Sequence, residues 1–224
     1  VSPDNLLQQR SRRATAEIVE AARRRFGASG YAATSIDDIA ADTGRTKGTV
    51  YHHFRDKREL FREVFVTEQR HLADVIVGRA TAPSPSAEAE AGAGAGAGGT
   101  EALGDGIATY LSAIARSPTA ARITLIDAPT VLGWQEWRSC GDGPFRSLLR
   151  TALGAVDRAA AGRLAERYDL DLLTELLLGA ITEAAYNTST DPHPRRAANR
   201  YATQLRHLVD GLVATPPARP PGAR

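Results

Sequence analysis

Residues 15–65 read TAEIVEAARRRFGASGYAATSIDDIAADTGRTKGTVYHHFRDKRELFREVF, and the punctuation of this stretch decides the fold. Ile18, Ala22 and Phe26 recur four apart, the period of one helical face. Gly30-Tyr31 closes this first helix, read as residues 12–29. Ser35 is a strong N-cap, and Asp38 three positions on completes a capping-box-like start for a second helix over 36–43. Gly44 suits the left-handed position past that helix's end. Thr46 caps a third helix over 47–54, and Asp56 with Glu59 opens a fourth over 57–80. Two short helices joined by a tight glycine-containing turn make a helix-turn-helix pattern.

Facing decides what the third helix can do. At about 100° per residue, Val50 and Phe54 share one side and are expected to pack on Ile36, Ile39 and Ala40. Gly48 and His52 point the other way, flanked by Thr49 and Tyr51. Glycine inside a helix costs about 1 kcal/mol relative to alanine, and close approach to DNA is a reason for it. Lys47 can reach a guanine edge or a phosphate. Thr49 can offer its methyl or hydroxyl to bases, and Tyr51 and His52 are long enough for phosphates or pyrimidine edges. Lys57, at the start of the fourth helix, reads as a phosphate clamp, and Thr34 and Ser35 serve the second helix in the same way. Arg10, Arg12 and Arg13 read as an arm tracking the backbone or a minor groove. Tyr51 or His53 can equally pack against the fourth helix.

From Thr15 to Phe65 the chain resembles the DNA-binding domain of TetR-family transcriptional regulators. The matching elements are Phe26 and Gly30-Tyr31, Thr34-Ser35 with Asp38-Ile39-Ala40, Gly44, Lys47-Gly48 with Tyr51-His52-His53-Phe54, and Lys57 with Leu60. The resemblance covers about a quarter of the chain. It implies a homodimer on an inverted-repeat DNA operator, usually a repressor released by a small molecule. The DNA contacts it implies are Thr34, Ser35, Arg45, Thr46, Lys47, Gly48, Thr49, Tyr51, His52, His53 and Lys57. Arg45-Thr46, where the family varies, leaves the operator sequence open.

The whole chain has 224 residues, 42% hydrophobic and 24% charged, enough to bury a sizeable core. Its formal charge is only +2, so any polyanion site must be local. Residues 1–81 hold 14 basic and 11 acidic side chains, against 14 and 15 in the remainder. Arginine supplies nearly all the positive charge; the only two lysines, Lys47 and Lys57, stand at the starts of the third and fourth helices. No window alternates with period two, so the fold class is all-α. Further helices are read over 101–116, 118–128, 133–158, 170–187 and 192–213, with Pro129 and Gly133 as helix breaks. The chain thus divides into a flexible basic arm (1–11), a helix-turn-helix domain (12–57), a helical regulatory and dimerisation domain (58–214) and a disordered tail (215–224). Within the third part, APSPSAEAEAGAGAGAGGT (82–100) reads as a flexible connector.

In the C-terminal part, the last two helices carry wide apolar stripes. Leu173, Leu177 and Ile181 on one, with Tyr201, Leu205 and Leu208 on the other, are expected to form a four-helix interface with a two-fold mate; burial within one subunit is the alternative. Tyr110, Asp127, Trp134, Trp137, Phe145 and Tyr186 gather rings with polar handles around a helix break, as a ligand pocket does. Each can equally be core. A DAPTVLGW stretch resembling some TetR-like regulators runs through this region. Cys140, the only cysteine, has no cationic neighbour in sequence and reads as an ordinary thiol. No HExxH, GxSxG, P-loop or closed metal-ligand spacing appears, so neither catalysis, a metal nor a cofactor is expected. DNA binding without repression, by an activator or an architectural protein, is the other reading. No segment reads as a signal peptide or membrane span, and a cytoplasmic location is expected.

Overall fold

The computed structural model describes residues 3–81 and 97–214, and every element among them is helical. Helix α1 runs Pro3–Ala33 and is broken at Gly30, whose φ of 80° lies where side-chain-bearing residues are strained. The helix therefore reaches back through residues 3–11, which the sequence reading took for a flexible arm. Between Asp4 and Phe26 there is no glycine or proline to stop it, and Pro3 is tolerated in a first turn.

Helices α2 (Ile36–Asp42) and α3 (Lys47–His53) follow as short rods. The Ser35 side chain accepts from the Asp38 N–H at 3.1 Å while Asp38 accepts from the Ser35 N–H at 3.2 Å, closing the capping box. Thr46 caps α3 by accepting from the Thr49 N–H. Helix α4 (Lys57–Thr81) then leaves the small domain, its first turn capped by Asp56 through the Glu59 N–H at 2.7 Å.

Val50 and Phe54 pack with Ile36 and Ile39 on Ile18, Phe26, Phe61 and Phe65. Burial of each such side chain contributes roughly 1.5–3 kcal/mol. This core does not close by itself: Ile123, Ala128 and Leu132, far down the chain, complete it. Helix α4 serves both halves of the molecule, with Leu60 to Phe65 in the first core and Leu72 in the second.

The second body comprises α5 (Ala97–Arg116), α6 (Pro118–Ala121), a π-helical segment (Arg122–Asp127), α7 (Ala128–Leu132), α8 (Trp134–Ala159), α9 (Arg163–Arg167), α10 (Leu170–Thr190) and α11 (Pro194–Val213). Helix α5 lies between α4, α8, α10 and α11. Its first turn takes in residues 97–100, assigned from sequence to the connector; the remainder of that connector, 82–96, and the tail 215–224 fall outside the described residues. Helix α9 had no counterpart in the sequence reading.

Pro129 does not break the chain's helical path; Gly133 does, with φ of 81°. Position explains the difference. Pro129 falls in the first turn of α7, directly after the π segment, where a residue without an N–H is tolerated. Within the π segment, the Thr124 carbonyl accepts from the indole N–H of Trp137 at 2.9 Å. Among the described residues, no helix is long and apolar enough to cross a membrane.

Candidate functional site

The outward face of α3 is assembled as its period predicts. Lys47, Gly48, Tyr51 and His52 are exposed, with Thr49 half-buried beside them. Tyr51 keeps 45% of its surface. Thr46 and Thr49 hydroxyls lie 3.0 Å apart, and Lys47 Nζ reaches Asp37 Oδ2 at 2.8 Å. That carboxylate raises the Lys47 pKa. Both partners are exposed, so the pair itself is worth little and the ammonium can be recruited by another anion. A Cβ added at Gly48 would meet nothing closer than the Thr46 hydroxyl at 3.8 Å. Nothing inside the chain therefore demands glycine there.

Four of the expected DNA contacts are committed elsewhere. Thr34 is buried, and its hydroxyl donates to the Gly30 carbonyl at 2.8 Å. Lys57 is not a free phosphate clamp: Nζ donates to the carbonyls of Tyr31 at 2.9 Å and Thr34 at 3.0 Å, and stands 4.2 Å over the Tyr31 ring. It ties the start of α4 to the turn before α2. Arg45 pairs with Glu17 of α1 at 2.7 Å, lowering the Glu17 pKa. His53 Nδ1 lies 3.2 Å from the Thr15 hydroxyl of α1, and burial pushes its pKa down. Ser35 and Thr46 remain exposed as caps.

A cavity of about 440 Å³ opens among α4, α5, the π segment, α8 and α10, the size of a small-molecule site. Tyr110, Trp137 and Phe145 line it as expected, with Tyr110 and Phe145 rings 5.2 Å apart. Three other expected ligand residues do not. Asp127 accepts from the Tyr31 N–H at 2.9 Å, outside the cavity. Trp134 turns outward, 63% exposed, against Trp137 and below Arg138. Tyr186 lies on the outer face of α10. The sequence reading missed Gln69 and Thr124, which also line the cavity. Gln69 carried a signal: it stands on the apolar stripe of α4 formed by Phe65, Leu72 and Ile76.

The cavity wall is joined to the small domain by polar contacts. Glu68, beside Gln69, is buried and paired with Arg23 of α1 at 2.5 Å. Arg58 of α4 donates to the carbonyls of Val131 at 3.1 Å and Leu132 at 3.0 Å and pairs with Glu136. Arg62 contacts Glu136 at 2.9 Å and the Cys140 sulfur at 3.4 Å, so Cys140 does have a cationic neighbour, supplied by the fold.

The outer faces of α10 and α11 present Leu172, Leu176, Tyr186, Tyr201 and Leu208 to solvent, Leu176 at 72% exposure. Leu173, Leu177 and Leu205, expected at a subunit interface, are buried within the chain, and Ile181 lines the cavity. Of the six interface residues read from sequence, Tyr201 and Leu208 face outward.

Residues 18–64 match the family described as bacterial regulatory proteins, tetR family, and residues 100–212 match the tetracyclin repressor-like C-terminal domain. The transcriptional repressor AcnR of Corynebacterium glutamicum is 35% identical over 60 residues, 27% of this chain and 32% of its own length. The repressor KstR2 of Mycolicibacterium smegmatis is 36% identical over 79 residues, 35% of this chain and 36% of its own. The chain thus aligns with about a third of the length of these curated relatives. Among solved structures, a TetR-family regulator from Pectobacterium atrosepticum superposes with a TM-score of 0.66 at 25% identity, covering 93% of this chain and 98% of its own. The regulator FadR of Bacillus subtilis, described in complex with stearoyl-CoA, gives 0.63 at 17% identity, covering 84% and 96%.

Proposed function

Because the chain belongs to the TetR family of bacterial transcriptional regulators, we propose that it is a homodimeric repressor that grips an inverted-repeat operator through α3 and leaves it when a small molecule fills the cavity. The observation carrying this reading is that the cavity wall and the ties to the DNA-binding domain are the same elements. Gln69 lines the cavity and its neighbour Glu68 holds Arg23 of α1. Thr124 and Leu125 line it, and Asp127 of the same π segment holds Tyr31. A ligand that reshapes the cavity acts on both.

Lys47, Gly48, Thr49, Tyr51 and His52 make the face presented to a major groove, with Ser35 and Thr46 beside it for phosphates. Two such helices must sit about 34 Å apart to enter successive grooves. The two-fold mate is carried by the outward residues Leu172, Leu176, Tyr201 and Leu208, whose exposed apolar surface suits a four-helix interface. The ligand must favour the spacing that DNA rejects, because equal affinity for both states shifts nothing. The named repressors among the relatives support the sign of regulation. A cytoplasmic location follows from an operator as target. The stearoyl-CoA of FadR supports use of this fold's interior for ligands but does not carry over as this chain's ligand.

DNA selected by the purified protein from a random pool, followed by a screen of metabolites for release of that DNA, tests the reading. Release by at least one compound supports induction; binding that no compound alters refutes it.

A further inference from the structure

The cavity restricts its occupant by charge. None of the described residues lining it is Asp, Glu, Lys, Arg or His, so among the described residues an ionised group entering it would give up hydration without meeting a counter-charge. The nearest carboxylate along α4, Glu68, is already paired with Arg23. Ile76, Ile107, Leu125 and Leu178, with the rings of Trp137 and Phe145, make most of the surface apolar.

One polar group stands out from that surface. Gln69 is only 7% exposed, and its Oε1 is buried with no hydrogen-bond partner among the described residues. A buried acceptor left unpaired is costly and calls for a donor. Two of the wall's donors are committed elsewhere. The Trp137 N–H is given to the Thr124 carbonyl, and the Thr124 hydroxyl donates to the Ala120 carbonyl at 2.7 Å. Gly141 of α8 leaves room for the carboxamide: a Cβ there would lie 2.8 Å from Gln69 Nε2 and 3.0 Å from the Phe65 ring. Nε2 is the carboxamide atom on the Gly141 side, which leaves Oε1 as the open acceptor.

We infer that the cavity binds an uncharged, largely apolar molecule carrying one hydroxyl or N–H, which donates to Oε1 of Gln69. This rests on the cavity being the effector site and adds the ligand's chemistry to that reading. The donor fixes the molecule's orientation, and the apolar remainder fills the space toward Phe145 and Leu178.

Isothermal titration of the full chain with four ten-carbon probes tests the inference: 1-decanol, nonyl methyl ether, decanoate and decylammonium, each below its solubility or micelle limit. Decanol is expected to bind about 3- to 10-fold more tightly than the ether, as one added hydrogen bond implies, and both ions more weakly than the ether. In Gln69→Met, decanol and ether should converge to within about 2-fold. In Gln69→Glu, a near-isosteric change, decylammonium should overtake decanol. Equal binding of decanol and ether to the wild type, tightest binding by decanoate, or no binding of any probe would overturn it. DNA enters none of these readouts, so the effector role is judged separately. Decanol binding with the stated selectivity but no effect on DNA affinity supports the ligand chemistry and refutes the effector role.

Discussion

The backbone N–H of Tyr31 donates to Oδ2 of Asp127 at 2.9 Å, across 96 residues of chain. Tyr31 follows the break at Gly30, its carbonyl accepts from Lys57 Nζ at 2.9 Å, and its ring packs on Phe26 and Phe61. One residue therefore joins the end of α1, the start of α4 and the π segment that walls the cavity. Asp127, suspected from sequence as a ligand anchor, instead bridges the two domains.

Replacing Asp127 by Ala leaves the part-buried Tyr31 N–H without its acceptor. The expected cost is about 1–3 kcal/mol in urea unfolding, with faster hydrogen exchange at the Tyr31 amide. Unchanged exchange at that amide would show that the contact does not hold the two domains together.

Lys57→Met removes two hydrogen bonds to carbonyls and the ammonium over the Tyr31 ring. It should destabilise the fold by about 1–3 kcal/mol while leaving the salt dependence of DNA affinity unchanged. A salt slope shallower by about one unit, with stability intact, would instead mark Lys57 as a phosphate contact.

Gly48→Ala separates folding from DNA binding. Its Cβ has open space, so helix propensity predicts a gain of about 0.5–1 kcal/mol in stability. Affinity for the selected DNA should fall, because the Cβ stands where the duplex would approach. Full DNA affinity in this variant would remove α3 from the DNA.

Arginine in place of both Leu176 and Leu208 should convert a dimer to a folded monomer in sedimentation velocity, with the helical signal kept. Leu205→Ala, a core change, should leave the association state alone and cost about 2–5 kcal/mol in stability. Dimers persisting in the double variant would move the interface to another face.

What was legible in the sequence was local. Ser35 with Asp38, Gly44 and Thr46 act within four residues of where they stand, so capping and turn rules place α2 and α3 correctly. The contacts of Lys57 were not legible because its partners, the carbonyls of Tyr31 and Thr34, lie 26 and 23 residues away. Helix α10 is apolar on most sides, so its period does not reveal which stripe faces inward. The buried positions are Leu173 and Leu177, and the exposed ones are their neighbours Leu172 and Leu176. Pro129 looked like a break because a proline in a first helical turn and one that ends a helix carry the same mark in a single sequence. Tyr110, Trp137 and Phe145 were found by their rings. Gln69 was overlooked although a polar residue on an apolar stripe was visible.

Footprinting the protein on DNA selected from a random pool decides whether paired α3 helices read DNA. Paired α3 helices should protect one inverted repeat with half-site centres about 34 Å apart or a whole number of helical turns apart, lost in Gly48→Ala. Protection of a single asymmetric site, or no sequence enriched over the starting pool, would contradict it.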